Sequence, residues 1–221
     1  MNELPKTIAC MSLPRVGWND AWGCIYSSLA PWSIPLLHHS SMFWAEGLTR
    51  LFSMAINDGA EWILTIDYDS MMTRRNIATL IEQMHEHPEF DAITTLQARR
   101  EHHTPLGCVK DEHCTGRLLQ AESAHFGLTM LRVESLKRVA RPWLISVPNK
   151  QGEWGDGRCD ADLWFWNQWR KAGNTVAIDM ANRIGHLEVV CVDFTESPAG
   201  SEVALQPRFT APHVWRKEMA A

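Results

Sequence analysis

Asp67 and Asp69 stand one residue apart directly after Trp62-Ile63-Leu64-Thr65-Ile66, a short and almost unbroken apolar run. Side chains two apart at a strand end project to the same side, so the pair can present two carboxylates to one spot while Tyr68 points elsewhere. Two anions held that close either raise one pKa or recruit a cation, and a hard divalent ion with oxygen ligands is the common solution. Such an ion keeps positions open for phosphate oxygens, which suits a nucleotide diphosphate. An Asp-x-Asp on its own also arises by chance as a polar turn.

Asp160 and Asp162 open an aromatic stretch, Leu163-Trp164-Phe165-Trp166 with Trp169 beyond it. Asp is favoured at the helix N-cap and first turn, so capping alone accounts for both, and a chemical role is compatible with it. Arg50 can pair with Glu46 one helical turn earlier. Trp154, Asp156 and Gly157 lie in a Gly-rich stretch that reads as an ordinary surface loop or as a lid that closes over a site. His102, His103, Cys108, His113 and Cys114 lack the CxxC or His-x-x-x-His spacing of structural zinc.

The elements that position these residues alternate. Strands are expected over 7–11, 33–37, 62–66, 91–96, 128–131 and 175–178, from short apolar runs bounded by Pro, Gly and polar residues. Helices are expected from Ser40 or Ser41 as N-cap to about residue 58, then around Ile77, Leu80, Ile81 and Met84, then over 134–139 and 160–172. Residues 97–117 read as a long polar loop or hairpin, and the chain turns loop-like from Thr195, with Pro198, Gly200, Pro207 and Pro212. Alternation of this kind argues for an α/β sheet with right-handed crossovers.

Composition excludes several classes. With 45% hydrophobic and 21% charged residues the chain is neither disordered nor fibrous. A net charge of −5 gives no overall field for nucleic acid, although Arg99, Arg100, His102, His103 and Lys110 form one basic stretch. Cys10, Cys24, Cys108, Cys114, Cys159 and Cys191 show no repeated spacing, so reduced thiols are expected. No apolar run approaches the ~18 residues of a membrane span, and the first residues lack a signal peptide's pattern, so a cytoplasmic location is the expectation.

The segment from Gly47 to Ser70 joins an Arg50-bearing helix, the turn Gly59-Ala60-Glu61-Trp62, an apolar strand and Asp67-Tyr68-Asp69. It resembles the helix–strand–DxD segment of GT-A glycosyltransferases of the family-2-like type. His125-Phe126-Gly127 to Arg132, with Pro142-Trp143 after it, is similar to that family's Gly-containing strand bordering donor sugar and acceptor. Cys159-Asp160-Ala161-Asp162-Leu163-Trp164-Phe165 resembles the Glu-Asp-x-Asp-Phe segment opening the acceptor-side helix, with cysteine in place of the usual Glu.

The resemblance implies an α/β, Rossmann-like GT-A fold, a mixed and mostly parallel sheet flanked by helices. Residues 1–194 would form one catalytic domain, and 195–221 a tail packing on it or on a partner. It implies Mn²⁺ or Mg²⁺ held by Asp67, Asp69 and His186, and a UDP- or GDP-sugar donor contacted by Pro14, Arg15, Arg50, Asp67, Tyr68, Asp69, His125, Phe126, Gly127 and Trp154. Asp160 is implied as catalytic base with Asp162 beside it, and the acceptor as a saccharide, lipid-linked sugar, protein or modified nucleic-acid base. The loop at 97–117 is then a candidate acceptor-binding segment.

Two other enzyme classes and a binding module compete. A haloacid-dehalogenase-like phosphatase also places Asp-x-Asp after an apolar strand and uses the first Asp as nucleophile, but Met71 stands where that class expects Thr or Val. A sugar nucleotidyltransferase needs a Gly-rich phosphate loop, and Leu13-Pro14-Arg15-Val16-Gly17 has one glycine. A non-catalytic sugar- or nucleotide-binding module would tolerate loss of the metal.

Overall fold

The computed structural model describes residues 3–14, 17–98, 108–109, 117–188, 191–195 and 206–210, with 108–109, 191–195 and 206–210 described for their backbone only. Arg15 and the histidine-rich segment with its basic residues and Cys114 therefore lie outside the described residues. Eight strands follow one another across the sheet in the order β2-β1-β3-β8-β5-β9-β7-β6. They are β1 (Thr7–Leu13), β2 (Leu36–Ser40), β3 (Trp62–Ile66), β5 (Ala92–Gln97), β6 (Cys108–Val109), β7 (Leu118–Ser123), β8 (Leu128–Arg132) and β9 (Val176–His186), with the short β4 (Ser70–Met71) joined to β9. β1, β2, β3, β5 and β9 run one way, while β8 and β7 run against them, so the sheet is mixed but mostly parallel.

Burial on both faces explains the unbroken apolar runs. Along β1, Ile8 and Cys10 face one core, whereas Ala9, Met11 and Leu13 face the other. Ile63 of β3 joins the first core, while Trp62, Leu64 and Ile66 join the second. The first core is covered by α2 (Trp44–Asn57), α4 (Val133–Arg138) and α5 (Ala161–Lys171), and the second by α1 (Asn19–Leu29) and α3 (Arg74–Glu86). Leu48, Leu51, Phe52 and Ala55 form the buried stripe of α2, and Gly59 ends the helix at φ +76°. Phe165, Trp166 and Trp169 of α5 pack with Phe126 as an aromatic cluster, with ring centroids 4.9–5.8 Å apart.

Several sequence expectations are corrected. The second strand lies at Leu36–Ser40 rather than 33–37, because Ala30–Trp32 forms a 3₁₀ turn that Ser33 closes in the left-handed region at φ 52°. Helix α2 starts with Phe43 at the N-cap; Ser41 sits two residues earlier, where its hydroxyl accepts the Phe43 N–H at 3.1 Å and donates to Glu46 at 2.5 Å. Glu46 is thus engaged with the cap. Gln97 belongs to β5 and not to the following loop, and α1 and β7 were not expected at all.

The last sheet strand does not stop at residue 178. Between Thr95 and Leu96 the pairing with β9 jumps from Asp179 to Arg183, a bulge that loops out three residues. Asp179 holds the bulge: its fully buried carboxylate accepts the Ala181 and Asn182 N–H groups at 3.0 and 3.2 Å and pairs with Arg117 at 3.1 Å. Beyond the bulge β9 continues to His186. The segment from Thr195 is not wholly loop either, since β10 (Cys191–Thr195) and β11 (Gln206–Thr210) pair antiparallel in a separate sheet.

Among the described residues, Cys10, Cys24 and Cys159 are free thiols, and no helix is long and apolar enough to cross a membrane. Burial pushes the Cys10 thiol up to about 12, so it is an inert core group.

Candidate active site

The acidic pair sits where β3 ends. Asp67 N–H donates to the Gly127 carbonyl at 3.3 Å, and Ser70 N–H closes the turn on the Asp67 carbonyl at 3.1 Å. Ser70 and Met71 then pair with His186 and Gly185 of β9, and Leu187 N–H donates to the Asp69 carbonyl at 2.8 Å. The acidic turn is thereby strapped to the end of β9, and this brings Asp69 to His186. Their Oδ2 and Nε2 atoms are 3.4 Å apart, and Asp69 is only 2% exposed.

Residues 67–69 form a turn rather than continued strand, so the two-residue period does not govern where their side chains go. Asp67 accepts the Trp44 indole N–H at 3.2 Å and lines an open cleft, whereas Asp69 faces His186. Tyr68, half-buried, packs against the second core. Among the described residues no group of three or more His, Cys, Asp and Glu is assembled to hold a metal ion.

The Asp69–His186 pair brings a carboxylate oxygen and an imidazole nitrogen together. His186 Nδ1 lies 3.1 Å from the Ala98 carbonyl, which can only accept, so Nδ1 carries the proton. Nε2 then faces a carboxylate oxygen with a lone pair of its own, unless a second proton or a cation stands between them. Metal-binding histidines are usually oriented through the other ring nitrogen by a carbonyl or carboxylate, and carboxylate oxygens suit Mn²⁺ or Mg²⁺. Such an ion would find two donors here, Asp69 and His186, while Asp67 of the same turn lines the cleft.

His125, Phe126 and Gly127 form the wall beneath this turn. The buried His125 donates from Nε2 to the Thr95 carbonyl at 2.7 Å, and its Nδ1 accepts the Gly127 N–H at 2.9 Å. Desolvation by burial lowers its pKa to about 4. A side chain at Gly127 would drive a Cβ into Gln97 Oε1, His125 Nδ1 and Ser70 Oγ, so only glycine lets these groups meet there.

His125 makes the fold acid-sensitive in a defined window. Its folded value of about 4 lies below the ordinary 6.5, so between these pH values the unfolded chain binds more protons and stability rises with pH. The full contribution is present above pH 6.5 and is lost as pH falls toward 4, a difference of about 3 kcal/mol. Denaturant unfolding of wild type and His125→Gln at a series of pH values should show the variant losing less stability over that interval.

Across the cleft stand the carboxylates that open α5. A cleft of about 490 Å³ is lined by Met42, Phe43, Trp44, Ala45, Asp67, His125, Phe126, Ser146, Asp160, Ala161 and Asp162. Asp67 and the Asp160–Asp162 pair, remote in sequence, therefore share one space. Asp160 is the N-cap residue of α5 without a side-chain cap bond; its carboxylate instead pairs with Arg158 at 2.7 Å and is half exposed. Burial pushes the Asp162 carboxyl above its usual range; the Leu163 N–H opposes this and the Asp160 charge adds to it.

Other expected donor contacts fall elsewhere. Arg50 lines a neighbouring groove of about 680 Å³ with Glu46, Thr49 and Pro142, which meets the cleft at Phe43, Ala45 and Ser146. Pro14 is half-buried just after β1. Trp154 is 61% exposed on a loop that the Val147–Cys159 bridge closes at its base, and its carbonyl accepts from Arg158 at 3.2 Å. Asn149 organises that loop from inside, accepting the Gln151 and Glu153 N–H groups at 3.0 and 2.9 Å. Sequence reasoning missed Trp44, Gln97 and Arg158: Trp44 fell on the apolar stripe of α2 and read as core, and nothing local marks the other two.

No protein-family model matches the chain, and no curated protein matches it in sequence. Solved structures do match. The protein A197 from STIV superposes with a TM-score of 0.58 at 14% identity, over 93% of this chain and 96% of that one. The mannosyltransferase PcManGT from Pyrobaculum calidifontis, in complex with GDP-Man and Mn²⁺, superposes with a TM-score of 0.52 at 11% identity, over 99% of this chain and 62% of that one. This chain thus spans less than two thirds of the mannosyltransferase's length. At such identities the likeness is one of fold, and the fold is a mixed, mostly parallel α/β sheet flanked by helices, as in GT-A glycosyltransferases.

Proposed function

We propose that the chain is a divalent-metal-dependent glycosyltransferase that moves a sugar from a nucleotide-diphosphate donor to an acceptor hydroxyl. One observation carries the reading: Asp67 of the acidic turn after β3 and the carboxylates opening α5 line one cleft, and Asp69 of the same turn is in contact with His186. A diphosphate leaving group needs charge neutralisation on one side of the sugar, and an acceptor hydroxyl needs a proton acceptor on the other. Asp67 stands on the first side and Asp160 with Asp162 on the second. The fold likeness to an enzyme solved with GDP-Man and Mn²⁺ favours a sugar nucleotide over other diphosphates.

Asp69, His186 and Asp67 would hold the Mn²⁺ or Mg²⁺, which supplies Lewis-acid stabilisation of the departing diphosphate. The chain's own residues do the rest. Trp44 fixes the Asp67 carboxylate by its indole N–H, Gly127 holds the Asp67 backbone, and His125, Phe126 and Ala161 shape the wall against which a sugar would lie. The Asp160–Asp162 end accepts the acceptor's proton. The loop bearing Trp154, joined to Asp160 through Arg158, would close over the cleft.

The test is a panel of UDP-, GDP- and other nucleotide sugars scored by calorimetric binding and slow hydrolysis, with Mn²⁺ and with EDTA. At least one donor should bind and hydrolyse with Mn²⁺, and EDTA should abolish both. Binding that survives EDTA, with no hydrolysis of any donor, would favour a non-catalytic sugar- or nucleotide-binding module instead.

A further inference from the structure

Strand β5 ends against the same residues that carry the acidic turn. Gln97, its last residue, is 2% exposed, and its Nε2 donates to Ser70 Oγ and to the Gly185 carbonyl, both at 3.3 Å. Ser70 directly follows Asp69, and Gly185 directly precedes His186. Its Oε1 is the nearest atom to where a Cβ on Gly127 would stand, so the one side chain touches all three segments of the wall. The next residue, Ala98, supplies the carbonyl that orients His186.

Ser70 and Met71 are the whole of β4, so its ladder on β9 is two residues long, extended only by the Leu187 N–H bond to the Asp69 carbonyl. Packing does not call for glutamine here, because Leu or Met fills a similar volume without the cost of burying an amide. Its retained bonds go to the two residues that flank the facing side chains. We propose that Gln97 is a positioning residue that clamps β4 to β9 and so sets the Asp69–His186 separation for a divalent cation. This rests on the metal-dependent reading above.

The test titrates the full chain with Mn²⁺ alone, without nucleotide, following free Mn²⁺ by electron paramagnetic resonance. Gln97→Leu should bind Mn²⁺ about 10-fold more weakly than wild type, the lower end of the loss when a direct partner of a metal ligand is removed, because Gln97 bonds the residues beside the ligands and not the ligands. A purely structural residue would lower the unfolding temperature in EDTA but leave the Mn²⁺ affinity of the folded protein unchanged, and that result overturns the role of Gln97. Should Gln97→Leu fail to fold, Ser70→Ala removes one acceptor of the clamp at far less cost to the core. It is expected to weaken Mn²⁺ binding in the same direction, and unchanged affinity again overturns the inference. Wild-type protein that takes up no Mn²⁺ overturns the metal-dependent reading itself, a result distinct from a wild type and variant that bind equally.

Discussion

Asp69→Asn eliminates Mn²⁺-dependent binding of the donor and its turnover together, by more than about 100-fold each, while the protein stays folded. The magnitude exceeds that for a supporting partner because Asp69 is itself a proposed donor to the cation. Asn has the shape of Asp, and the bond from Leu187 N–H goes to the Asp69 backbone carbonyl, so the substitution removes charge without undoing the strap between the acidic turn and β9. A carboxylate only 2% exposed and 3.4 Å from an imidazole nitrogen also has little room to be replaced by water. Calorimetry with Mn²⁺ and a donor identified from the panel decides it. Unchanged Mn²⁺-dependent affinity in the variant would remove Asp69 from the site. Loss of turnover with full retention of binding would point away from a metal bridge and toward direct chemistry on this turn.

Much of the fold was legible because local signals and tertiary demands agree there. The run at Trp62–Ile66 and the stripe on α2 each have one apolar period, and burial on both sheet faces or on one helix face follows from it. Where a long-range constraint decides, the sequence is silent. The extension of β9 to His186 depends on a bulge held by Asp179, whose partner Arg117 lies 62 residues away, and no periodic pattern marks it. The strand at 118–123 carries no long apolar run, and its pairing antiparallel with β9 is a long-range contact, so it had no assignment from sequence.

The candidate site divides the same way. The acidic turn was visible from composition and position, and His186 only through the family likeness, yet their meeting is a product of β4 pairing with β9. The chain turns at residue 67, so the strand period alone does not set where the Asp67 and Asp69 carboxylates lie; Asp67 bonds Trp44 and Asp69 faces His186. Gln97 gives no signal at all in one dimension. A buried amide bonded to two segments becomes conspicuous only when its partners are known to flank Asp69 and His186.

Asp162→Asn should lower kcat for sugar transfer by about 100- to 10,000-fold with donor affinity preserved, whereas Asp160→Asn should act chiefly through KM. The two carboxylates line the same cleft but live in different environments. Asp160 is half exposed and paired with Arg158 at 2.7 Å, and Arg158 in turn bonds the Trp154 carbonyl. Asp162 carries a carboxyl raised by burial and by the Asp160 charge, and a base with a raised pKa takes a hydroxyl proton more readily near neutral pH. Only the ionised form accepts a proton, so kcat should fall as pH drops through a value above the ordinary 3.8 of Asp, and that acid limb should vanish in Asp162→Asn. Removing the Asp160 charge releases Arg158, which also holds the Trp154 carbonyl, so Asp160→Asn is expected to loosen that loop while leaving the Asp162 carboxylate in place. Steady-state transfer kinetics of both variants across pH, with donor binding measured alongside, separate these roles. Full transfer by Asp162→Asn with loss in Asp160→Asn would assign the base to Asp160 and leave Asp162 as a first-turn residue of α5, where the positive end of the helix alone explains a carboxylate.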